Sequence, residues 1–95
     1  MPALQIDFED GFAGDTVVVA ADGRELWRGE ALTTNPAISL ATIAQLEVPE
    51  NAQLELSVPG RGLAETRRVQ APFLRVELSG GRLVLQESQD LPRHL

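Results

Sequence analysis

Residues 16–30 read TVVVAADGRELWRGE, and this stretch decides the fold class. Thr16 to Ala21 is a β-branched run with apolar side chains on both parities. Such a run suits a strand covered on both faces, and therefore one placed centrally in a sheet. Asp22-Gly23 follows at once. A type I′ hairpin turn needs positive φ at both central residues, which aspartate and glycine tolerate. The return strand is then Arg24 to Glu30, so the early chain holds a β-hairpin.

The same period of two recurs in both directions from this hairpin. Upstream, Leu4, Ile6 and Phe8 alternate with Gln5, Asp7 and Glu9, which reads as a half-buried strand. Asp10-Gly11-Phe12-Ala13-Gly14-Asp15 supplies turn residues between the two. Downstream, Thr33-Thr34-Asn35-Pro36 is a loop, because proline pushes its predecessor out of the helical region and lacks a donor. From Ile38 to Val48 two readings compete. As a strand in two pieces, Ile38, Leu40, Ala44, Leu46 and Val48 share a face, with Thr42 interrupting. A short helix near 39–45 would align Leu40, Ile43, Ala44 and Glu47, and its apolar stripe breaks at Glu47. Strand fits better.

Pro49-Glu50-Asn51-Ala52 turns the chain, and Leu54, Leu56 and Val58 alternate with Glu55 and Ser57. Pro59-Gly60-Arg61-Gly62 makes a tight connection into a return strand from Glu65 to Ala71. Pro72 cannot donate to a ladder, so it marks a bulge, an edge or a change of sheet. Leu74, Val76 and Leu78 form another inward row, with Phe73, Arg75 and Glu77 on the outward parity. Ser79-Gly80-Gly81 turns into Arg82 to Glu87, with Leu83 and Leu85 inward. Residues 88–95 have no period and read as a loose tail, leaving 1–87 as one domain.

Seven or eight strands at spacings of roughly 8–12 residues predict an all-β, two-sheet antiparallel sandwich. At this level the chain resembles immunoglobulin-like and transthyretin-like β-sandwiches. The resemblance rests on the strand pattern of the whole chain and on no diagnostic motif. The cysteine pair flanking a tryptophan, typical of antibody-type domains, is missing. The likeness implies an architecture and carries no function with it.

Composition bounds the function classes. The 95 residues suit a single domain, and 43% of them are apolar, enough for a globular core. The net charge of −6 opposes binding to a phosphate backbone. Aromatic residues make up 4%, too few for a base-stacking platform. No apolar run approaches the ~20 residues of a membrane-spanning helix. Met1-Pro2-Ala3-Leu4 has neither a basic nor an apolar leader pattern, and the chain has no cysteine. Together these predict a reducing, cytoplasmic setting. Nucleic-acid and membrane partners are not expected.

Four acids around the first turn, Asp7, Glu9, Asp10 and Asp15, are the candidate metal ligands. Calcium takes about six to eight oxygens from such sources. Their spacing is not that of an EF-hand loop. In an antiparallel layout the Thr33–Asn35 and Pro59–Gly62 loops lie at the same end, so Glu30 or Asn35 could join the set. Asp22 lies at the other end. The simpler reading is a solvated turn that discourages edge pairing.

Trp27 is the single tryptophan. It reads as core, and if it faced outward it would anchor a protein partner or stack on a carbohydrate ring. Phe73 and Val84 sit on outward parities, although Pro72 could flip that of Phe73 and favours core for it too. With Trp27 they are the candidate partner-binding residues for a protein partner or a homodimer. All eight basic residues are arginines, and those at 61, 67, 68, 75 and 82 gather in the second half. A charge distribution of this size is ordinarily surface.

Catalytic constellations are missing from the pattern. The sole histidine is His94, in the tail. Gly14-Asp15-Thr16 is not the Asp-Thr-Gly order of aspartic proteases, and without lysine there is no phosphate-binding Gly-Lys loop. The expectation is a non-catalytic interaction or assembly module without a cofactor. A ligand-binding module for calcium or carbohydrate is the alternative.

Overall fold

The structure, a computed structural model, describes residues 3–90. Eight strands follow in order: β1 Ala3–Phe8, β2 Ala13–Ala21, β3 Arg24–Thr33, β4 Thr42–Glu47, β5 Gln53–Val58, β6 Leu63–Arg68, β7 Phe73–Ser79 and β8 Arg82–Ser88. They form two four-stranded sheets, sheet A in the order β4-β1-β7-β8 and sheet B in the order β3-β2-β5-β6. The expected β-sandwich is thus what the chain adopts, and β2 is central as its two-sided apolar pattern requires.

Two features refine the expectation. All pairings are antiparallel except β1 with β7, which run parallel from Gln5 opposite Phe73 to Phe8 opposite Val76. In addition, β1 and β2 lie in opposite sheets. An immunoglobulin constant domain keeps its first two strands in one sheet, so the strand order here is a different one.

The chain crosses between sheets four times. The crossings after β1 and β3 share one end with the β5–β6 and β7–β8 turns. The crossings after β4 and β6 share the opposite end with the β2–β3 turn. Pro72 marks a change of sheet, since β6 belongs to sheet B and β7 to sheet A.

The short helix considered near 39–45 does not form. Residues 36–39 are turn, Ser39 has φ 53°, and Asn35 bridges Leu40. From Thr42 onward the backbone pairs with β1, and this ladder sets Ala44 and Leu46 inward. Pairing gives alternate amides of this edge segment a ready neighbour in β1 and leaves the others to water, whereas an isolated turn and a half of helix is too short to be stable. The first turn is shorter than its composition suggests, because β2 already begins at Ala13.

The core lies between the sheets. Ile6, Phe8, Val17, Val19, Leu54, Leu56, Val58, Leu74 and Val76 are all completely buried. Each such side chain contributes about 1.5–3 kcal/mol relative to exposure. Phe12, Leu83, Leu85 and the remaining inward residues complete one continuous cluster. The inward rows read from sequence therefore face each other across the sandwich, and the outward rows are left to carry any surface function.

Candidate interaction edge and end cavity

The four candidate metal ligands are divided between the sheets. Asp7 and Glu9 point to the outer face of sheet A, yet are only 1% and 7% exposed. The ladder places Asp7 between Ile43 of β4 and Arg75 of β7. Gln5 Nε2 donates to Asp7 Oδ1 at 2.9 Å, and Arg75 Nε donates to Glu9 Oε2 at 2.9 Å. Asp15 lies on sheet B, where Arg61 donates Nε to Oδ1 at 2.7 Å and Nη2 to Oδ2 at 2.9 Å. The Ala13 amide adds a bond to Oδ2 at 2.8 Å. Arg61, first of all through this hydrogen bonding, holds the Asp15 carboxyl below the usual carboxylate range.

Asp10 is exposed, and its carbonyl accepts from the Leu78 amide at 2.8 Å. Among the described residues no three Asp, Glu or His side chains gather where they could hold a metal ion. Asp7, Glu9, Asp10 and Asp15 are not brought to one point, so the four candidate ligands do not form a cluster. Glu9 and Asp15 are each held by an arginine, Arg75 and Arg61.

The loop geometry behind that expectation does hold. The Thr33–Asn35 and Pro59–Gly62 segments meet the first turn, and Asp22 lies at the far end, paired with Gln53. Thr34 is the tie. Its hydroxyl donates to the Glu9 carbonyl at 2.6 Å and accepts from the Phe12 amide at 3.0 Å. Asn35 spends its Oδ1 on the Ala37 amide at 3.0 Å.

Trp27 is half-buried and stacks on Phe8, with ring centroids 5.2 Å apart and planes 12° from parallel. Phe12 meets the same Phe8 edge-on at 5.9 Å. One indole face is therefore committed to the core. The indole also lies over Gly29, where an added Cβ would strike its six-membered ring. Phe73 is half-buried on β7, and Val84 is 41% exposed on β8. Both belong to the outer face of sheet A, whereas Trp27 stands on β3 of the other sheet. The three do not form one patch.

The free edges differ in how they are protected. β3 carries three register shifts against β2, a bulged edge that resists further pairing. β6 is six residues long, with Glu65 and Arg67 on the inward parity. β4 is equally short. β8 pairs with β7 through all seven residues without a shift, and it contains no proline. Arg67 Nη1 reaches from β6 to the Leu85 carbonyl at 2.9 Å, covering one acceptor along that edge.

At the end opposite the first turn, the crossings 48–52 and 69–72 frame a half-open cavity of about 340 Å³. Its floor is Leu4 and Leu54, and its walls are Val48, Val69, Ala71 and two prolines, Pro49 and Pro72. Both walls are pinned from behind. Glu87 Oε1 accepts from the Gln70 and Ala71 amides at 3.0 and 3.2 Å, and Gln5 N donates to the Pro72 carbonyl at 3.0 Å. On the other side Ala52 N donates to the Pro49 carbonyl at 3.2 Å, and Asp22 and Gln53 exchange two bonds. The alternating strands were legible in sequence. This cavity was not, since it arises where two crossing segments happen to be small or rigid.

His94 lies outside the described residues, as does the part of the expected tail from 91 onward. Among the described residues no helix is long and apolar enough to cross a membrane. No protein-family model, no curated protein and no solved structure matches the chain.

Proposed function

We propose that this protein is a non-catalytic interaction module that associates with a second copy of itself through β8. One observation carries the reading: β8 is a regular, unbulged edge strand that exposes Val84 on its outer face. Edge strands offer unpaired backbone groups to another strand unless something blunts them. A two-fold axis through Val84, perpendicular to sheet A, would set Val84 opposite its own mate. Leu83 would then face Leu85, and Arg82 would face Gln86. This register keeps inward residues inward across the join, so two cores would merge under one eight-stranded sheet. The Arg67 bond to Leu85 is compatible with it, because a carbonyl has two lone pairs.

The non-catalytic part of the reading is supported by the way the described carboxylates are used. Glu9 and Asp15 are engaged by Arg75 and Arg61, and are not poised beside a nucleophile. The setting proposed is cytoplasmic, on the cysteine-free composition.

Sedimentation equilibrium over a wide concentration range tests the dimer. The expected result is a reversible monomer–dimer equilibrium that Val84→Arg abolishes without lowering the melting temperature. A wild-type chain that stays monomeric up to millimolar concentration would sink the proposal.

A further inference from the structure

We propose that the cavity between residues 48–52 and 69–72 binds a compact hydrophobic amine, a one-ring apolar body carrying a cationic head. The volume comes first. About 340 Å³ lies at the lower end of the range that small-molecule sites occupy. Shape comes second: the floor is made by Leu4 and Leu54, 5% and 0% exposed, so it belongs to the rigid core and not to a mobile loop. An apolar body resting on that floor removes water from the exposed Pro49 and Pro72 and the half-buried Val69 around it.

Preorganisation is the third argument. Pro49 and Pro72 fix the backbone of the two walls, and Glu87, Gln5 and Asp22 hold them from outside the cavity. A pocket whose walls need no ordering loses little affinity to conformational entropy. The bound state is therefore available without rearrangement.

Charge decides the ligand's head group. Among the described residues, Glu50 is the only ionisable side chain lining the cavity, and it is exposed, as are the lining residues Asn51 and Gln70. The arginines at the end of β6 lie outside the lining, with Arg67 turned to the Leu85 carbonyl. The other carboxylate of the neighbourhood, Glu87, gives one oxygen to two wall amides. With a net charge of −6, the protein's field also favours a cation over an anion. An apolar floor with a carboxylate rim is complementary to an amine held at the mouth, its ring inside.

Phenethylamine is the probe, titrated into the ¹⁵N-labelled full-length chain and followed by amide chemical shifts. Phenylpropionate and phenethyl alcohol, with the same ring and a different head, are titrated alongside. Saturable shifts confined to Glu50, Asn51, Gln70 and Ala71 are expected with the amine, and weaker binding with the other two. Glu50→Gln should lower amine affinity about threefold, the scale of an exposed ion pair. Ala71→Leu and Val69→Phe each fill the cavity and should abolish the shifts while the protein still melts cooperatively. Using both keeps the test valid if one variant fails to fold. Val84→Arg should leave binding unchanged, which separates this site from the β8 edge. Absence of saturation, equal binding of the acid or the alcohol, or shifts that persist in a folded cavity-filled variant would each overturn the inference.

Discussion

The chain crosses between the sheets twice at each end of the sandwich, and the two ends use those crossings in opposite ways. At the first-turn end, the segment after β1 drops Phe12 between the sheets, where it is 3% exposed and meets Phe8 edge-on. The segment after β3 then ties this plug down through Thr34, whose hydroxyl and amide both bond residues of the first crossing. At the other end, Val48, Ala52 and Ala71 are the buried residues on the crossings, all smaller than Phe12, and each segment is fastened to neighbouring strands. One end is stoppered by a large side chain. The other is braced from outside and left hollow. Closing a sandwich end takes one large apolar residue on a crossing, and smaller residues there, a valine and two alanines, leave room for a guest.

The contrast can be broken at the stopper. Phe12→Ala should unseat the aromatic pair and cost about 3–5 kcal/mol, the usual scale for emptying a buried phenylalanine site. Urea unfolding measures it. A loss below 1 kcal/mol would mean the first-turn end is not closed by Phe12 at all. Thr34→Val tests the tie that holds the stopper. It keeps the shape and removes both hydroxyl bonds, leaving the Phe12 amide and the Glu9 carbonyl short of partners, for about 1–3 kcal/mol.

At the hollow end the expected response is much weaker. Ala71→Leu adds bulk to a void, so stability should change by less than about 1.5 kcal/mol, as for size changes that the surroundings accommodate. Paired melts of Phe12→Ala and Ala71→Leu thus sharpen the comparison directly. If both cost the same, the two ends are equally packed and the contrast is lost.

The smallest effect is electrostatic. Asp15 has a depressed carboxyl in the folded state because of Arg61, so the pair stabilises the fold above the unfolded value of about 3.9. That contribution disappears as pH falls through the folded value. Solvent reaches the guanidinium of Arg61, which is 39% exposed, and weakens the pair. Melting curves of wild type and Arg61→Gln should differ slightly at pH 7 and converge at the acid end. A gap that widens on acidification would reverse the sign and refute the assignment.

Much of the frame was legible in the residues. Leu4, Ile6 and Phe8, then Leu74, Val76 and Leu78, announced their inward rows because a strand repeats every two positions. Asp22-Gly23 announced its turn, and Pro72 its change of sheet. What escaped was long-range. Phe12 sits in a glycine-flanked turn and shows no period, yet it is core, because burial there depends on the opposing Phe8 and on Gly11. Gly11 adopts φ 93°, and an added Cβ would collide with the Leu78 backbone. The acids at 7, 9, 10 and 15 are close in sequence. Asp7 and Glu9 stay on the outer face of sheet A, Asp10 falls in the turn, and the crossing moves Asp15 to the other sheet. Arg61 and Arg75, which receive two of them, stand far along the chain, where no local pattern points back. The cavity has no sequence signature either, since a void is defined by what several small residues fail to fill.

The parallel pairing of β1 with β7 has a consequence for the order in which the molecule is made. All strands of sheet B are present once Arg68 has left the ribosome. Sheet A is not so fortunate. Its central strand β1, translated first, finds β4 on one side and must wait for Phe73–Ser79 to arrive on the other. Joining segments so distant in sequence is entropically costly and slow. Until it happens the nascent chain shows a bare flank of β1 to its neighbours, the sort of surface that promotes aggregation. The final β7–β8 hairpin therefore acts as the closing piece of synthesis, and a chain stopped short of it would be a half-built sandwich in need of protection.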